Sequence, residues 1–94
     1  MKYDVILSSA FKKDLKIIKK RGKDLSKLDA VVEKLANDEE LDFKYHDHPL
    51  RDTPKYKRCR ECHIEPDWLL IYKKNGNNLE LLLIETGSHS DLFD

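Results

Sequence analysis

The chain has 94 residues, enough for one hydrophobic core and therefore one domain over residues 1–94. Apolar residues make up 39% and charged residues 38%, with three Gly and three Pro, which excludes a low-complexity tail. No stretch approaches the roughly 20 apolar residues of a membrane span, and no membrane partner is expected. The net charge is zero, but residues 1–36 carry ten Lys or Arg against five Asp or Glu, and residues 37–94 carry eight against thirteen. A basic half can meet phosphates, although the solvated face of a helix produces the same pattern. Met1-Lys2-Tyr3-Asp4 leads into no apolar signal segment, and two cysteines suggest reduced thiols. The expected location is cytoplasmic.

Residues 3–7, with Tyr, Val and Ile, form a first predicted strand. Ser8 or Ser9 can cap a helix on which Phe11, Leu15 and Ile18 make one apolar stripe, while Lys12, Lys13, Lys16, Lys19 and Lys20 lie mostly off it. Gly22 stands where the helix needs a left-handed residue to stop. A second helix starts near Asp24 or Ser26 and carries Leu28, Val31, Val32 and Leu35. Residues 37–52 lose periodicity and suggest a loop through His46-Asp47-His48-Pro49. Residues 56–64 look extended, with Tyr56, Arg58, Arg60, Cys62 and Ile64 on one face and Lys57, Cys59, Glu61 and His63 on the other. Glu65-Pro66-Asp67 fits a turn, residues 68–72 a strongly apolar strand, Asn75-Gly76 a hairpin turn and residues 79–84 the next strand. Thr86-Gly87-Ser88-His89 is expected to break that strand before Leu92-Phe93-Asp94. The predicted fold is α+β in the order β-α-α-β-β-β, a small antiparallel sheet with a two-helix hairpin packed on it.

His48, His63 and His89 all occur in polar surroundings near loop or strand ends. Imidazoles titrate near neutrality, so two or more brought together suit general acid–base work on a hydroxyl and its phosphate. Asp67 and Glu61 can orient them or act as bases, and Arg51, Lys57, Arg58 and Arg60 can meet a phosphate. Cys59-Arg60-Glu61-Cys62-His63 also matches the C-x-x-C-H spacing of haem attachment. Strand alternation argues against that use by putting the two cysteines on opposite faces. Zinc held by Cys59, Cys62, His46 and His48 is a weaker competitor, lacking a second paired motif. No serine occupies a nucleophile elbow, and the three glycines, at 22, 76 and 87, form no phosphate loop.

Three strings in this order and spacing carry a family resemblance: Asp47-His48-Pro49-Leu50, then Cys62-His63-Ile64-Glu65-Pro66-Asp67-Trp68-Leu69-Leu70-Ile71-Tyr72, then Thr86-Gly87-Ser88-His89-Ser90-Asp91-Leu92-Phe93. They resemble the YafQ branch of the RelE-type bacterial toxins over nearly the whole chain. The resemblance implies the toxin of a type II toxin–antitoxin pair, a ribosome-dependent endoribonuclease that cleaves mRNA in the ribosomal A site. It implies no metal and no cofactor. The ribose 2′-OH would attack the adjacent phosphate, with His48, His63, Asp67 and His89 as the acid–base set and Glu61, Trp68 and Phe93 shaping the site or positioning RNA. The implied partner is a DinJ- or RelB-like antitoxin, in a heterotetramer that reaches operator DNA only through the antitoxin.

Two departures accompany the resemblance. Glu85 stands where the family usually has an arginine, so Arg58 or Arg60 is expected to meet the phosphate charge. Glu61 replaces an aspartate common beside the strand histidine. The alternative reading is a weakened member of the family that acts mainly in antitoxin binding and operon autoregulation.

Overall fold

The computed structural model describes residues 2–93; Met1 and Asp94 lie outside the described residues. Strand β1 (Asp4–Leu7) leads into helix α1 (Ser9–Lys20) and helix α2 (Leu25–Ala36). A 3-10 turn (Phe43–Tyr45) then precedes strands β2 (His48–Pro49), β3 (Arg60–Glu65), β4 (Trp68–Asn75) and β5 (Glu80–Gly87), and a short helix α3 (His89–Phe93) follows.

The α1 boundaries have local causes. The Ser8 side chain accepts the Phe11 N–H at 2.9 Å, closing one orphan donor of the first turn. At the other end Gly22 sits at φ 78°, and Lys23 N–H reaches back to the Ile18 carbonyl at 3.3 Å. Asp24 caps α2 by accepting from Ser26 N–H at 3.0 Å.

The five strands form one sheet in the order β1-β5-β4-β3-β2. It is mixed, because β1 runs parallel to β5 while the other neighbours are antiparallel, and this corrects the all-antiparallel expectation. Alternation of side chains reveals the faces of a strand but not its partner, and the two intervening helices give β1 the long connection that a parallel pairing needs. The expected order β-α-α-β-β-β also gains two elements, β2 in the segment read as a loop and α3 after β5, both too short to show a period in sequence. Two further corrections concern length. Residues 56–59 are not strand, since Arg58 takes a left-handed φ of 56° and turns the chain before Arg60. Strand β5 continues through Thr86 and Gly87, where turn-type residues had suggested a break.

Beyond the reach of β1, the outer edge of β5 is closed by the start of α1. Ser8 Oγ donates to the Ile84 carbonyl at 2.6 Å, and Asp14 accepts Thr86 N–H at 3.1 Å. Burial drives the Asp14 carboxyl above its usual range, against the opposing effect of that N–H.

The core has two parts, one on each face of the sheet. Phe11, Ile18, Leu28, Val31 and Leu35 from the helices pack on Cys62, Trp68, Leu70, Tyr72 and Leu81. On the opposite face Tyr56, Cys59, Leu69, Ile71 and Leu92 form a smaller cluster. Cys59 and Cys62 are therefore in different clusters and both are free, so the C-x-x-C-H spacing brings no pair of thiols together. Between the layers Trp68 Nε1 donates to Thr86 Oγ1 at 2.9 Å, and that hydroxyl donates to the Leu69 carbonyl at 2.7 Å.

Replacing Thr86 by Val keeps the shape but leaves a buried indole N–H unpaired. We expect Thr86→Val to lose about 1–3 kcal/mol in urea denaturation and Thr86→Ser to retain most of the stability.

Candidate active site

The sheet face away from the helices is covered only in part. Register places His48 opposite Glu61, Glu61 opposite Ile71, and Ile71 opposite Glu85, so these four side chains share that face. The neighbouring row is His63, Leu69 and Gly87. Residues 50–59 and α3 cover Leu69 and Ile71, and the histidines line the cleft beside that cover.

Four imidazoles gather there. The His63 ring centroid lies 5.6 Å from His46, 6.4 Å from His48 and 5.7 Å from His89. Carbonyl oxygens only accept, so His48 donates its Nδ1–H to the His46 carbonyl (2.7 Å) and His63 its Nδ1–H to the Pro66 carbonyl (3.2 Å). Both rings thereby turn Nε2 inward, each 3.5 Å from the same Glu61 oxygen. Glu61 is 6% exposed, and a ring protonated at Nε2 can donate to it.

His89 is held differently. Its Nδ1–H and its backbone N–H both donate to Asp67 Oδ1, at 2.6 and 2.9 Å. The backbone N–H first, and the imidazole second, holds the Asp67 carboxyl below its ordinary range. Asp67 thus stays ionised through neutral pH and holds the ring in the tautomer that leaves Nε2 free for a substrate.

The position of α3 decides whether His89 reaches Asp67. Arg21 at the end of α1 clasps Asp91 at 2.5 and 2.9 Å, and Asp91 also accepts Ser88 N–H at 2.9 Å. The Asp91 carboxylate packs over Gly87 so closely that a Cβ there would lie 2.9 Å from its oxygen. Glycine at 87 is what allows α3 to fold back against β5. The β3–β4 turn has its own brace, since Lys23 and Lys27 grip Glu65 at 2.7 and 2.8 Å.

The remaining candidates divide. Phe93 is exposed with its ring 5.9 Å from Tyr56, next to the small cluster. Trp68 is 1% exposed in the helix-side core, so it shapes the sheet and offers no face to a base. Arg60 lies on the helix side, with Nε 3.3 Å from Asp47, which also accepts the Tyr72 hydroxyl at 2.6 Å. Arg58 sits by Lys73 and Asn77 near the β4–β5 turn, at the far end of the sheet. Neither arginine joins the histidines, because alternation turns one to the wrong face and the left-handed turn carries the other away.

The cation that sequence reasoning missed is Lys55. Its Nζ lies 3.2 Å from Glu85, and the Tyr56 hydroxyl donates to the same Glu85 oxygen at 2.9 Å. Glu85 is 7% exposed and is met by a positive charge from the 50–59 loop. Lys55 is 30 positions from Glu85 along the chain, and no local pattern announces that pairing.

The fold that carries these histidines, a mixed sheet with two helices on one face, is shared with solved bacterial toxins. The family model described as "Bacterial toxin of type II toxin-antitoxin system, YafQ" matches residues 3–94. The chain belongs to the YafQ family of type II toxins, which makes it an endoribonuclease toxin. A relative from Escherichia coli BL21-DE3, the mRNA interferase toxin YafQ, is 42% identical over 92 residues, covering 96% of this chain and 95% of its own. The fold matches the E. coli DinJ–YafQ complex with a TM-score of 0.88 at 40% identity, covering 98% of this chain and 99% of that one. It also matches a metal-bound toxin from Helicobacter pylori with a TM-score of 0.90 at 45% identity, covering 97% and 99%. Among the described residues no helix is long and apolar enough to cross a membrane.

The Arg21 guanidinium, with Ser88 N–H, holds the Asp91 carboxyl well below the usual carboxylate range. The stability this contributes is complete above the unfolded-state value of about 4 and is lost as pH falls through the lower folded value. We expect Asp91→Asn to be less stable at pH 7 but to show a flatter loss of stability below pH 4 than wild type, measured by denaturant titration at each pH. Equal slopes would show that the clasp contributes nothing.

Proposed function

We propose that this toxin is a single-domain, ribosome-dependent endoribonuclease that cuts mRNA in the ribosomal A site by acid–base catalysis without a metal. The observation that carries the reading is the His63–His89 pair, 5.7 Å apart, with His63 Nε2 facing Glu61 and His89 Nε2 left free by Asp67. Two imidazoles at that spacing can serve the attacking and the leaving oxygen of one phosphodiester. One imidazole, with His48 and Glu61 beside it, takes the 2′-OH proton as the O2′–P bond forms. As the P–O5′ bond breaks, a protonated imidazole gives the 5′-oxygen its proton. The products are a 2′,3′-cyclic phosphate and a 5′-hydroxyl.

The phosphate's developing charge needs cations. On the cleft side of the sheet the fold offers Lys55, already engaged by Glu85. The exposed lysines at 12, 13, 16, 19 and 20 of α1 supply a polyanion-facing surface of the kind that a ribosome presents to. Phe93 is placed to pack against RNA at the edge of the site, where an exposed aromatic ring can stack on a base. The reading puts the protein in the cytoplasm, where its substrate is. By analogy with the E. coli relative seen with DinJ, its partner is a DinJ- or RelB-like antitoxin, joined in a heterotetramer that contacts operator DNA through the antitoxin.

A second reading has one specific observation in its favour. Glu85 puts a buried carboxylate on the same face as the histidines, and a chain so altered would act mainly by capturing its antitoxin and regulating the operon.

Primer extension on mRNA in a purified translation system separates the two. We expect wild type to cut inside A-site codons only when ribosomes are present, and His89→Ala to lose about 10²–10⁴-fold in rate. Equal cutting by wild type and variant would remove His89 from the reaction, and no cutting by folded wild type would favour the second reading. Asp67→Asn frees the His89 tautomer and should also slow cleavage, while a chelator selective for transition metals should leave the wild-type rate unchanged.

A further inference from the structure

The His46 ring moves no proton in the chemistry above, where only its carbonyl serves by orienting His48, yet its backbone is in the left-handed region at φ 48° and ψ 45°. A β-carbon is disfavoured there, and glycine or asparagine would be the easier residue. The imidazole that this backbone presents is exposed and has two ring neighbours. It stands between Phe43, whose ring is 5.8 Å away and 90% exposed, and His63, 5.6 Å away edge-on. Two aromatic neighbours thus flank an exposed ring at the mouth of the histidine cleft.

On one side of His46 a groove of about 850 Å³ opens between α2 and the start of the β3–β4 turn. Its walls include Lys27, Lys44, Tyr45, His46 and His63, so it is continuous with the cleft. Glu65, the only acidic wall residue among the described residues, is neutralised by Lys23 and Lys27. Lys44 makes no ion pair among the described residues and lies over the Tyr45 ring at 5.2 Å. Rings and one lysine without an ion pair among the described residues are complementary to a nucleotide, which carries a π-face and a phosphate. The hollow on the other side of His46 also has Arg60, paired with Asp47, but Glu40 and Asp42 make no ion pair among the described residues and would repel a phosphate.

We propose that the groove between α2 and β3 is a nucleotide subsite for the RNA residue next to the cleaved linkage, with the base against His46 and Tyr45 and the phosphate at Lys44. The inference rests on the endoribonuclease reading and adds to it the direction in which the strand leaves the histidines. It also gives the unfavourable backbone at His46 a purpose, since the left-handed turn sets the ring at the groove's end.

His46→Gly tests this without endangering the fold, because glycine suits φ 48°. Denaturation should show the variant as stable as wild type or more so. In the ribosomal cleavage assay the toxin concentration for half-maximal rate should rise roughly five- to hundredfold, as expected for a lost base–aromatic stack, with the saturated rate within about threefold of wild type. Lys44→Ala should raise the same concentration and weaken its salt dependence. The inference is overturned if His46→Gly matches wild type, or if only the saturated rate falls, which would make His46 a proton-transfer group. It is also overturned if His46→Gly weakens antitoxin capture and spares cleavage. A non-cleavable 2′-O-methyl oligoribonucleotide, followed by fluorescence anisotropy, gives a readout independent of catalysis. Should wild type fail to cleave, weaker binding of that RNA by His46→Gly still supports the subsite while the function falls, and unchanged binding removes both.

Discussion

Strand β4 hides both its faces, and most of the molecule follows from the need to cover them. Trp68, Leu70 and Tyr72 turn to the helices, and Leu69 and Ile71 turn the other way. Five side chains buried at about 1.5–3 kcal/mol each give roughly 10 kcal/mol, comparable to the whole net stability of a domain this size. The helices cover one face over Trp68, Leu70 and Tyr72. Only the 50–59 loop and a five-residue helix remain for the other, and they reach across part of it. The part left open is the histidine cleft, so the site exists where the chain runs short of cover.

That arrangement explains why the polar groups on this face come as braced sets. A carboxylate as buried as Glu61 or Glu85 needs partners, because an unpaired charge in the interior costs several kcal/mol. Glu61 has two imidazoles and Glu85 has Lys55 and the Tyr56 hydroxyl. The imidazoles are oriented in turn by carbonyls or by Asp67, which determines the nitrogen each one shows to the cleft. The clasp of Arg21 on Asp91 and the grip of Lys23 and Lys27 on Glu65 hold the two ends of the cleft to the helical layer. Exposed pairs of this kind add little to stability singly. Their part is to keep α3 and the β3–β4 turn in register with each other.

Much of this was legible before folding. Helix starts, the Gly22 stop, the two-helix hairpin and the apolar strand at Trp68 follow from local capping and periodicity, and the structure keeps them. His63, Asp67 and His89 could be singled out because titratable groups beside turns and strand ends are marked by their neighbours in sequence. Other features left no local signal. The parallel partner of β1, the helix-side position of Arg60 and the removal of Arg58 to the far end each depend on a long-range pairing or on one left-handed residue. Lys55 and Glu85 are too far apart along the chain for any spacing rule to connect them.

By itself, then, the amino-acid order determined the helical hairpin, the outlines of β1, β3, β4 and β5 and the family to which they belong, but neither β2 nor α3, because only the former are marked by neighbours within a turn or two. The tertiary structure alone decided which strand lies beside which, which cation answers Glu85 and how far apart the imidazoles sit. Those are distances between groups that meet only after the chain has closed on itself, and covering both faces of one central strand is what brings them together.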